Sequence, residues 1–291
     1  MTRLRPARSW APEGGRIARA IREGTSLASS IVLIDVGNTR IKAGCANADG
    51  VIRWSWAGSL SDGSTWESLG DRLSAIEAAG VAIASVNPPA ADRIGEMLGR
   101  LGIGPIRWFR SANDVPVCHR LEAPSRTGAD RALAVLAALD RAGRIGPGIV
   151  VQCGTAITVE RIEADGCWAG GAIAIGPGLA SRSLRSGTAQ LPEVGPTIPE
   201  APLPPWGASP EPALRAGIVW GTVGAIRELI ARQSEGFDRD PWVAWTGGDA
   251  PALAMLLGRE HPWIEPSLVL RGLLVAVAWG SESRSPHPES G

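Results

Sequence analysis

The stretch IVLIDVGNTRIKAG, residues 31–44, ends an apolar run on a carboxylate and follows it at once with a polar glycine turn. Small turn residues let the backbone approach a phosphate, and the free N–H groups of such a turn form an anion-binding concavity. Thr39 adds a hydroxyl and Lys42 a positive charge, whereas Asp35 would repel a bare phosphate. Asp35 is therefore suited to holding Mg²⁺ against nucleotide oxygens, directly or through water. The alternative is an ordinary hairpin, because glycine and asparagine are common in turns.

A second strand–turn–strand pattern, GIVVQCGTAITVE at residues 148–160, repeats the first. Aligning Gly37 with Gly154 places Gln152 at the position of Asp35, and the later WTGGDA adds a further glycine turn. This repetition favours phosphate binding over a plain hairpin and predicts two related halves. The P-loop pattern G-x-x-x-x-G-K-[ST] does not occur in the sequence.

Two further stretches could contact a substrate. GADR, residues 128–131, begins a helical pattern, and an acid and an arginine at a helix N-terminus can bind a polar substrate, with Asp130 as general base for a hydroxyl. The alternative is helix capping beside a solvated Arg131. GGAIAIGPGL, residues 170–179, is a strand pattern between glycines and a proline turn. It either passes under a flat ligand such as adenine or forms a close crossing of strand and helix.

The composition of the 291 residues, 44% hydrophobic and 20% charged with zero formal net charge, predicts a globular protein with a core. It shows no charge bias toward nucleic acid or a membrane surface. The cysteines are scattered without a C-x-x-C pair, which argues against a zinc site and a disulfide framework and fits a reducing compartment. They are Cys45, Cys118, Cys153 and Cys167.

Apolar strand patterns alternate with helical patterns along the chain, which predicts an α/β fold. Residues 65–80 have a helical period that ends on glycine, and a proline-rich loop is expected at residues 191–212. Residues 1–30 carry six arginines among small residues and are expected to form a disordered basic extension, and residues 281–291 a solvated tail. The apolar run LVLRGLLVAVAW is too short to span a bilayer and predicts a buried helix.

Together these stretches resemble the type III pantothenate kinases, a family of the actin-like ATPase superfamily. The likeness is carried, in the family's order, by DVGNTRIK, GADR, CGTAIT, GGAIAIGPGL, TAQLP and WTGGDA. It implies two ribonuclease-H-like domains, residues 31–145 and 146–280, with the active site in the cleft between them. It also implies transfer of the ATP γ-phosphoryl group to pantothenate, the first step of coenzyme A synthesis, with Mg²⁺ and a monovalent cation.

The resemblance also implies site residues. Asp130 would be the catalytic base, Asp35 would hold Mg²⁺ through the phosphates, and Gln152 would stand at the monovalent-cation position. Acceptor-binding residues would be Gly128, Ala129, Asp130, Arg131, Leu121 and Thr188. ATP-binding residues would be Asp35, Val36, Gly37, Asn38, Thr39, Arg40, Ile41, Lys42, Thr155, Gly170, Gly171, Pro177 and Gly178.

Two positions depart from the family pattern. The family usually has Asp where this chain has Gln152, and that Asp helps bind potassium or ammonium; Gln keeps a carbonyl oxygen but loses the charge, so cation affinity should weaken. A substrate-side Tyr normally lies where this chain has Leu121, and the sequence contains no Tyr. The alternatives to an active enzyme are therefore a catalytically silent nucleotide-binding relative that acts as a regulator, or a kinase for another small hydroxylated acceptor.

The partners that the resemblance implies are ATP and pantothenate, with no nucleic acid and no membrane. It further implies a homodimer in the cytoplasm.

Overall fold

The computed structural model describes residues 30–47, 50–195, 203–259 and 261–282. The expected basic extension lies outside the described residues up to position 29, and the expected tail does so from position 283. Of the proline-rich loop expected at residues 191–212, residues 196–202 also lie outside them. The prediction is wrong at its C-terminal end, because a helix begins at Pro210 and proline is tolerated in the first turn of a helix.

The first sheet has five strands in the order β3-β2-β1-β4-β5. The central strand β1 runs antiparallel to β2 and parallel to β4. The strands are β1 (Ser30–Val36), β2 (Arg40–Ala46), β3 (Ile52–Ser59), β4 (Ala78–Ser85) and β5 (Ile106–Phe109).

The second sheet repeats this topology. Its five strands follow the order β10-β9-β6-β7-β8, which is the order of the first sheet read from the opposite edge. The strands are β6 (Gly148–Cys153), β7 (Ala156–Ile162), β8 (Trp168–Ile175), β9 (Trp242–Thr246) and β10 (Trp263–Ile264). Two sheets of equal topology, each opened by an antiparallel hairpin, confirm the expected α/β class with two ribonuclease-H-like sheets.

The helices lie between or after these strands. They are α1 (Ser64–Ser74), α2 (Pro88–Leu101), α3 (Ala129–Arg141), α4 (Pro177–Gly187), α5 (Pro210–Ser234), α6 (Ala250–Leu256) and α7 (Leu268–Glu282). The prediction of a helix over residues 65–80 is wrong at its C-terminal end, because the helix stops at Ser74 and β4 begins at Ala78. Alanines in that segment fit both elements, and the pairing of β4 with β1 decides in favour of a strand.

The two sheets enclose one central helical layer. Leu33 on β1 and Val150 on β6 share a core with residues of α3 and α7. The opposite face of the first sheet packs on α1 and α2, and the opposite face of the second sheet packs on α5 and α6. Because side chains alternate along a strand, Asp35 lies on the same face as Leu33, and Gln152 lies on the same face as Val150. Both polar side chains are therefore directed toward the central layer at the ends of their strands.

The prediction of no disulfide framework is wrong for one pair, because Cys118 is bonded to Cys167. The partners are 49 residues apart, so their spacing gave no indication of pairing. They meet because the segment after Cys118 lies beside the start of β8: the N–H of Trp168 donates to the carbonyl of Cys118, and the N–H of Arg120 donates to the carbonyl of Trp168. Cys45 and Cys153 are free.

Within the described part of the chain, no helix has the length and apolar character required to cross a membrane.

Candidate active site

Asp35 is the next-to-last residue of β1 and lies beside a lysine from the neighbouring strand. Asp35 and Lys42 are paired in the register of β1 and β2, so their side chains lie on the same face of the sheet. Burial raises the pKa of Asp35 to about 7; the positive charge of Lys42 opposes this shift, and the carboxylate of Asp130 adds to it. Asp35 and Asp130, 95 positions apart in sequence, therefore lie close enough for their charges to interact. Such a pair of carboxylates favours a bound cation between or beside them.

The two glycine hairpins meet across the cleft between the sheets. In the first hairpin the N–H of Gly37 donates to the carbonyl of Arg40 at 3.0 Å, and in the second the N–H of Gly154 donates to the carbonyl of Ala156 at 3.1 Å. The hydroxyl oxygens of Thr39 and Thr155, one from each turn, are 2.7 Å apart and share a hydrogen bond. Both hydroxyls and both turns thus face one point, as a phosphate group between them would require.

The side chains of the first hairpin divide between the core and the cleft. Val36 and Ile41 are fully buried in the outer core of the first sheet, so their side chains do not face the cleft. Asn38, Thr39 and Arg40 are exposed. Of the predicted ATP-binding stretch, the exposed turn therefore supplies the side chains that a ligand in the cleft can reach.

The WTGGDA turn follows β9 and lies against both hairpins. Gly247 has a φ of 102°, and a Cβ there would collide with the carbonyl oxygen of Cys153 in the second hairpin strand. Arg40 of the first hairpin reaches this turn, since its Nη1 lies next to Gly248. Burial raises the pKa of Asp249, and the positive charge of Arg40 opposes that rise. Glycine is required here because the turn and β6 approach backbone to backbone.

Helix α4 starts against the second hairpin. The N–H of Gly176 donates to the carbonyl of Thr155 at 3.1 Å, and a Cβ at Gly176 would collide with the carbonyl oxygens of both Gly154 and Thr155. Pro177 is the first helical residue, and Gly178 follows it. The close strand–helix crossing considered for this stretch is therefore present, and it brings the helix N-terminus next to Thr155.

Asp130 lies in the first turn of α3, which points into the same cleft. Its carboxylate folds back over Gly128, so a Cβ at Gly128 would collide with it. Burial raises the pKa of Asp130, whereas the backbone N–H and the positive charge of Arg131 oppose the rise and Glu160 adds to it. A carboxylate with a raised pKa is a stronger base near neutral pH than an exposed one, which suits proton abstraction from a hydroxyl.

Arg131 is not the solvated arginine that the capping alternative required. Its Nε donates to Oε1 of Glu160 at 2.6 Å and its Nη2 donates to Oε2 at 2.7 Å. Glu160 is fully buried on β7, and the indole N–H of Trp168 donates to its Oε2 at 3.0 Å. We name these three side chains, Arg131, Glu160 and Trp168, the Glu160 clamp. It joins the start of α3 to the second sheet.

Gln152 occupies a neutral setting. Its Oε1 accepts a long hydrogen bond of 3.4 Å from the hydroxyl of Thr158, its register partner on β7. Thr246 on β9 is its partner on the other side. Where the first half pairs Asp35 with Lys42, the second half therefore pairs an amide with a hydroxyl. These groups offer oxygen ligands to a cation but no charge to neutralise it.

The structure places the other predicted residues as follows. Ala129 is buried in the central core. Leu121 is half-buried, and a Cβ at Gly170 would lie in contact with it. Gly171 lies against Glu160. Gly170 and Gly171, both expected to bind adenosine, therefore lie next to Leu121 and Glu160. Their role in binding adenosine stays a prediction. The exposed Thr188 donates its hydroxyl to the carbonyl of Leu184 at the end of α4.

A cavity of about 790 Å³, lined by both polar and apolar side chains, opens beside the first hairpin. Arg93 of α2 and Arg182 of α4 lie on its wall, and Arg93 stacks over the ring of Trp66 at 4.0 Å. Its other lining residues include Asn38, Thr39, Ser59, Ser61 and Asn87. The volume and the arginines fit an anionic ligand of small-molecule size.

The carboxylate of Asp35 fits Mg²⁺ held together with nucleotide phosphates. Magnesium is usually bound by one or two carboxylates plus substrate oxygens, and Asp35 provides one such carboxylate. A cluster of three or more His, Cys, Asp or Glu side chains able to hold a metal without substrate is absent from the described ranges.

Sequence reasoning missed Glu160, Trp168 and the two cavity arginines. The signal for Glu160 was present: in AITVERI it is a charged residue on the strand face shared with Ala156 and Thr158, which is directed toward the central layer. Its partner Arg131 lies 29 residues earlier, so the pair could not be read from spacing.

Sequence comparisons of this chain with known proteins identify one family. The family model for type III pantothenate kinase matches residues 31–232. The chain is 32% identical over 254 residues to the type III pantothenate kinase of Paramagnetospirillum magneticum, covering 84% of this chain and 95% of the relative. It is 33% identical over 269 residues to that of Azoarcus sp., covering 89% and 95%. A structure from Campylobacter jejuni described as a Baf family transcriptional activator shares the fold, with a TM-score of 0.55, 16% identity and coverage of 86% of this chain and 99% of that one.

Proposed function

The chain belongs to the type III pantothenate kinase family, and we propose that it transfers the γ-phosphoryl group of ATP to pantothenate in the cleft between its two sheets. The observation that carries the proposal is the hydrogen bond between the hydroxyls of Thr39 and Thr155, which joins the two hairpins across the cleft. Asp35, two residues before Gly37 of the first turn, lies close enough to Asp130 for their charges to interact.

The proposed nucleotide site lies between the hairpins. The turns at Gly37 and Gly154 present the hydroxyls of Thr39 and Thr155 to the phosphates, and the N-terminus of α4 adds its dipole next to Thr155. Lys42 supplies a positive charge beside Asp35. In phosphoryl transfer most of the catalysis comes from positioning and charge neutralisation, which is the contribution that these groups can make.

Asp35 is the proposed residue that holds Mg²⁺, with the ATP phosphates as further ligands. The metal supplies neutralisation of the charge on the transferred group when it is bound. The carboxylate of Asp35 must be ionised for this purpose, and its raised pKa means that a nearby cation is needed to keep it ionised below neutral pH.

Asp130 is the proposed general base. It accepts the proton of the acceptor hydroxyl while that oxygen forms its bond to the γ-phosphorus and the bond from this phosphorus to the bridging oxygen of ADP breaks. Gly128 makes room for the carboxylate, and the first turn of α3 fixes its direction. The positive charge of Arg131 lies next to this base and is the proposed contact for the carboxylate of pantothenate.

A monovalent cation, potassium or ammonium, is proposed to bind weakly beside Gln152. The amide oxygen of Gln152 and the hydroxyl of Thr158 are neutral ligands, so the site lacks the charge that the usual Asp provides. Activation by potassium should therefore be smaller than in relatives with Asp.

We also propose a homodimer that works in the cytoplasm, where ATP is abundant. Support for the dimer comes from the edge strand β8, on which Ile173 and Ile175 are 65% and 48% exposed on one face. Leu179 and Leu184 of the following helix are exposed as well. Apolar side chains on an unpaired edge strand favour association with a second surface.

The proposal is tested by ATP consumption of the purified protein with and without pantothenate, in sodium, potassium and ammonium buffers. Pantothenate-dependent turnover is expected, with a modest dependence on the cation. Turnover with other small hydroxylated acceptors but not with pantothenate would identify a kinase of different specificity. ATP binding without turnover in any buffer would identify a catalytically silent relative, the alternative suggested by the changes at Gln152 and Leu121.

A further inference from the structure

The Glu160 clamp holds one guanidinium in a single orientation. Two parallel hydrogen bonds from Nε and Nη2 of Arg131 fix it in the plane of the carboxylate. The Cζ of Arg131 also lies 5.5 Å from the centre of the Trp168 ring, and the indole N–H of Trp168 fixes the same carboxylate oxygen. Gly171 closes the remaining side of Glu160, since a Cβ there would collide with Oε2.

The clamp leaves one edge of the guanidinium unused. Glu160 engages Nε and one N–H of Nη2, so the second N–H of Nη2 and one N–H of Nη1 form the adjacent edge. That edge matches the geometry of a second planar carboxylate. Arg131 directly follows Asp130 in the first turn of α3, so this edge belongs to the same helix start as the proposed base.

Stability alone is a poor explanation for this arrangement. Removing two charges from water costs about as much as their attraction returns, and apolar replacements of buried ion pairs are often neutral or stabilising. Glu160 is fully buried, whereas the side chain of Arg131 keeps 15% exposure. A buried carboxylate with a partly exposed cation is the arrangement expected when the cation must present donors to a ligand.

We propose that Glu160 is a positioning residue of the kinase, which orients Arg131 so that the Nη1 edge of its guanidinium binds the carboxylate of the acceptor. The inference rests on the proposed function. Glu160 itself touches neither substrate, because its two oxygens are occupied by Arg131 and Trp168. Through Glu160, the second sheet thereby fixes the orientation of the acceptor-binding side chain at the start of α3.

The test is the kinetics of Glu160→Gln. Gln has the size of Glu, but its NH₂ group would oppose N–H donors of Arg131 or Trp168, and it has no charge to hold the guanidinium. Because the acceptor carboxylate is bound alike in the ground and transition states, KM for pantothenate is expected to rise about tenfold or more, with KM for ATP and kcat changed less than about threefold.

Two further variants separate positioning from a merely structural role. In an Arg131→Lys background, Glu160→Gln is expected to change the acceptor KM less than about twofold, because the residue through which Glu160 acts is already altered. The matched control is Glu163→Gln, which removes the acidic charge of the neighbouring Arg161–Glu163 pair. Arg161 lies on the opposite face of β7 from Glu160, so both KM values are expected to stay unchanged.

An unchanged acceptor KM in folded Glu160→Gln would overturn the inference, and so would an equally large effect in the Arg131→Lys background. If Glu160→Gln does not fold, Glu160→Asp decides, because it keeps the charge and withdraws the carboxylate by one methylene. A raised acceptor KM in that variant supports positioning, and an unchanged one contradicts it. Wild-type protein without pantothenate-dependent turnover would instead show that the proposed function itself is wrong, and the inference would fall with it.

Discussion

The hydroxyl oxygens of Thr39 and Thr155 are 2.7 Å apart, although 116 positions separate the residues in sequence. One comes from the first hairpin and the other from the second, so the contact spans the cleft. A separation of 2.7 Å leaves no space for another heavy atom between the two oxygens. Phosphate oxygens that bind both hydroxyls must replace this hydrogen bond, so the two hydroxyls must separate when the nucleotide binds.

The first prediction concerns these hydroxyls. Thr39→Val and Thr155→Val keep the shape of the side chain and remove the hydroxyl, so each should raise KM for ATP about 10- to 100-fold, the cost of one hydrogen bond to a charged group. Steady-state kinetics at saturating pantothenate measures the effect. Thr39→Ser retains the hydroxyl and is the control that should stay near wild type. Equal effects of Val and Ser would show that the hydroxyl does not bind the nucleotide.

The second prediction concerns the base. Asp130→Asn removes the proton acceptor at the start of α3 with little change of shape, and turnover should fall by about 10²- to 10⁴-fold. Binding of ATP, measured by calorimetry, should stay nearly intact because the nucleotide contacts come from the hairpins. Unchanged turnover in the Asn variant would remove Asp130 from the mechanism.

The third prediction concerns stability and pH without nucleotide. Because burial raises the pKa of Asp35 to about 7, the folded protein holds its proton more tightly than the unfolded chain does. This contribution to stability is complete below the unfolded pKa of 3.8 and is lost as pH rises through about 7. One such proton lowers the free energy of unfolding by about 1.4 kcal/mol per pH unit within that window.

Denaturant unfolding between about pH 4 and pH 8 measures this slope. Asp35→Asn cannot titrate, so its free energy of unfolding should fall less steeply with pH than that of the wild type. Parallel slopes for the two proteins would mean that Asp35 has an ordinary pKa in the folded state.

The fourth prediction concerns the contact of α4 with the second hairpin. Gly176→Ala introduces a Cβ that collides with two carbonyl oxygens of the turn at Gly154, so the turn must shift. A displacement of about 1 Å can cost about 100-fold in rate, and kcat/KM for ATP should fall by at least about tenfold. Gly187→Ala at the other end of α4 meets no atom within 4 Å and should leave the kinetics unchanged. Equal kinetics for the two variants would show that the hairpin does not bind phosphate.

The sequence predicted the elements better than their mutual contacts. The strand–turn–strand patterns at Asp35 and Gln152 have a local period and local turn residues, and both form hairpins in the structure. The helical boundary at Ser74 was missed because alanines fit a helix and a strand alike, and strand pairing decides between them. Local patterns determine elements, and long-range pairing determines where ambiguous segments end.

In the candidate site too, individual residues could be predicted from the sequence, whereas their long-range contacts could not. Asp35, Thr39 and Asp130 could be chosen from residue type and turn chemistry. The bidentate pair of Arg131 with Glu160 and the disulfide of Cys118 with Cys167 depend on how β7 and β8 meet segments that are distant in sequence. No spacing rule reports such contacts, because the packing of α3 between the two sheets creates them.

In the proposed mechanism, the cleft phosphorylates pantothenate with Asp130 as the base. The most direct measurement is mass spectrometry of the products formed from ATP and pantothenate by the wild-type protein and by Asp130→Asn under identical conditions. We expect 4′-phosphopantothenate and an equal amount of ADP from the wild type, and about 10²- to 10⁴-fold less product from the variant. ADP without phosphopantothenate from the wild type, or equal product from both proteins, would contradict it.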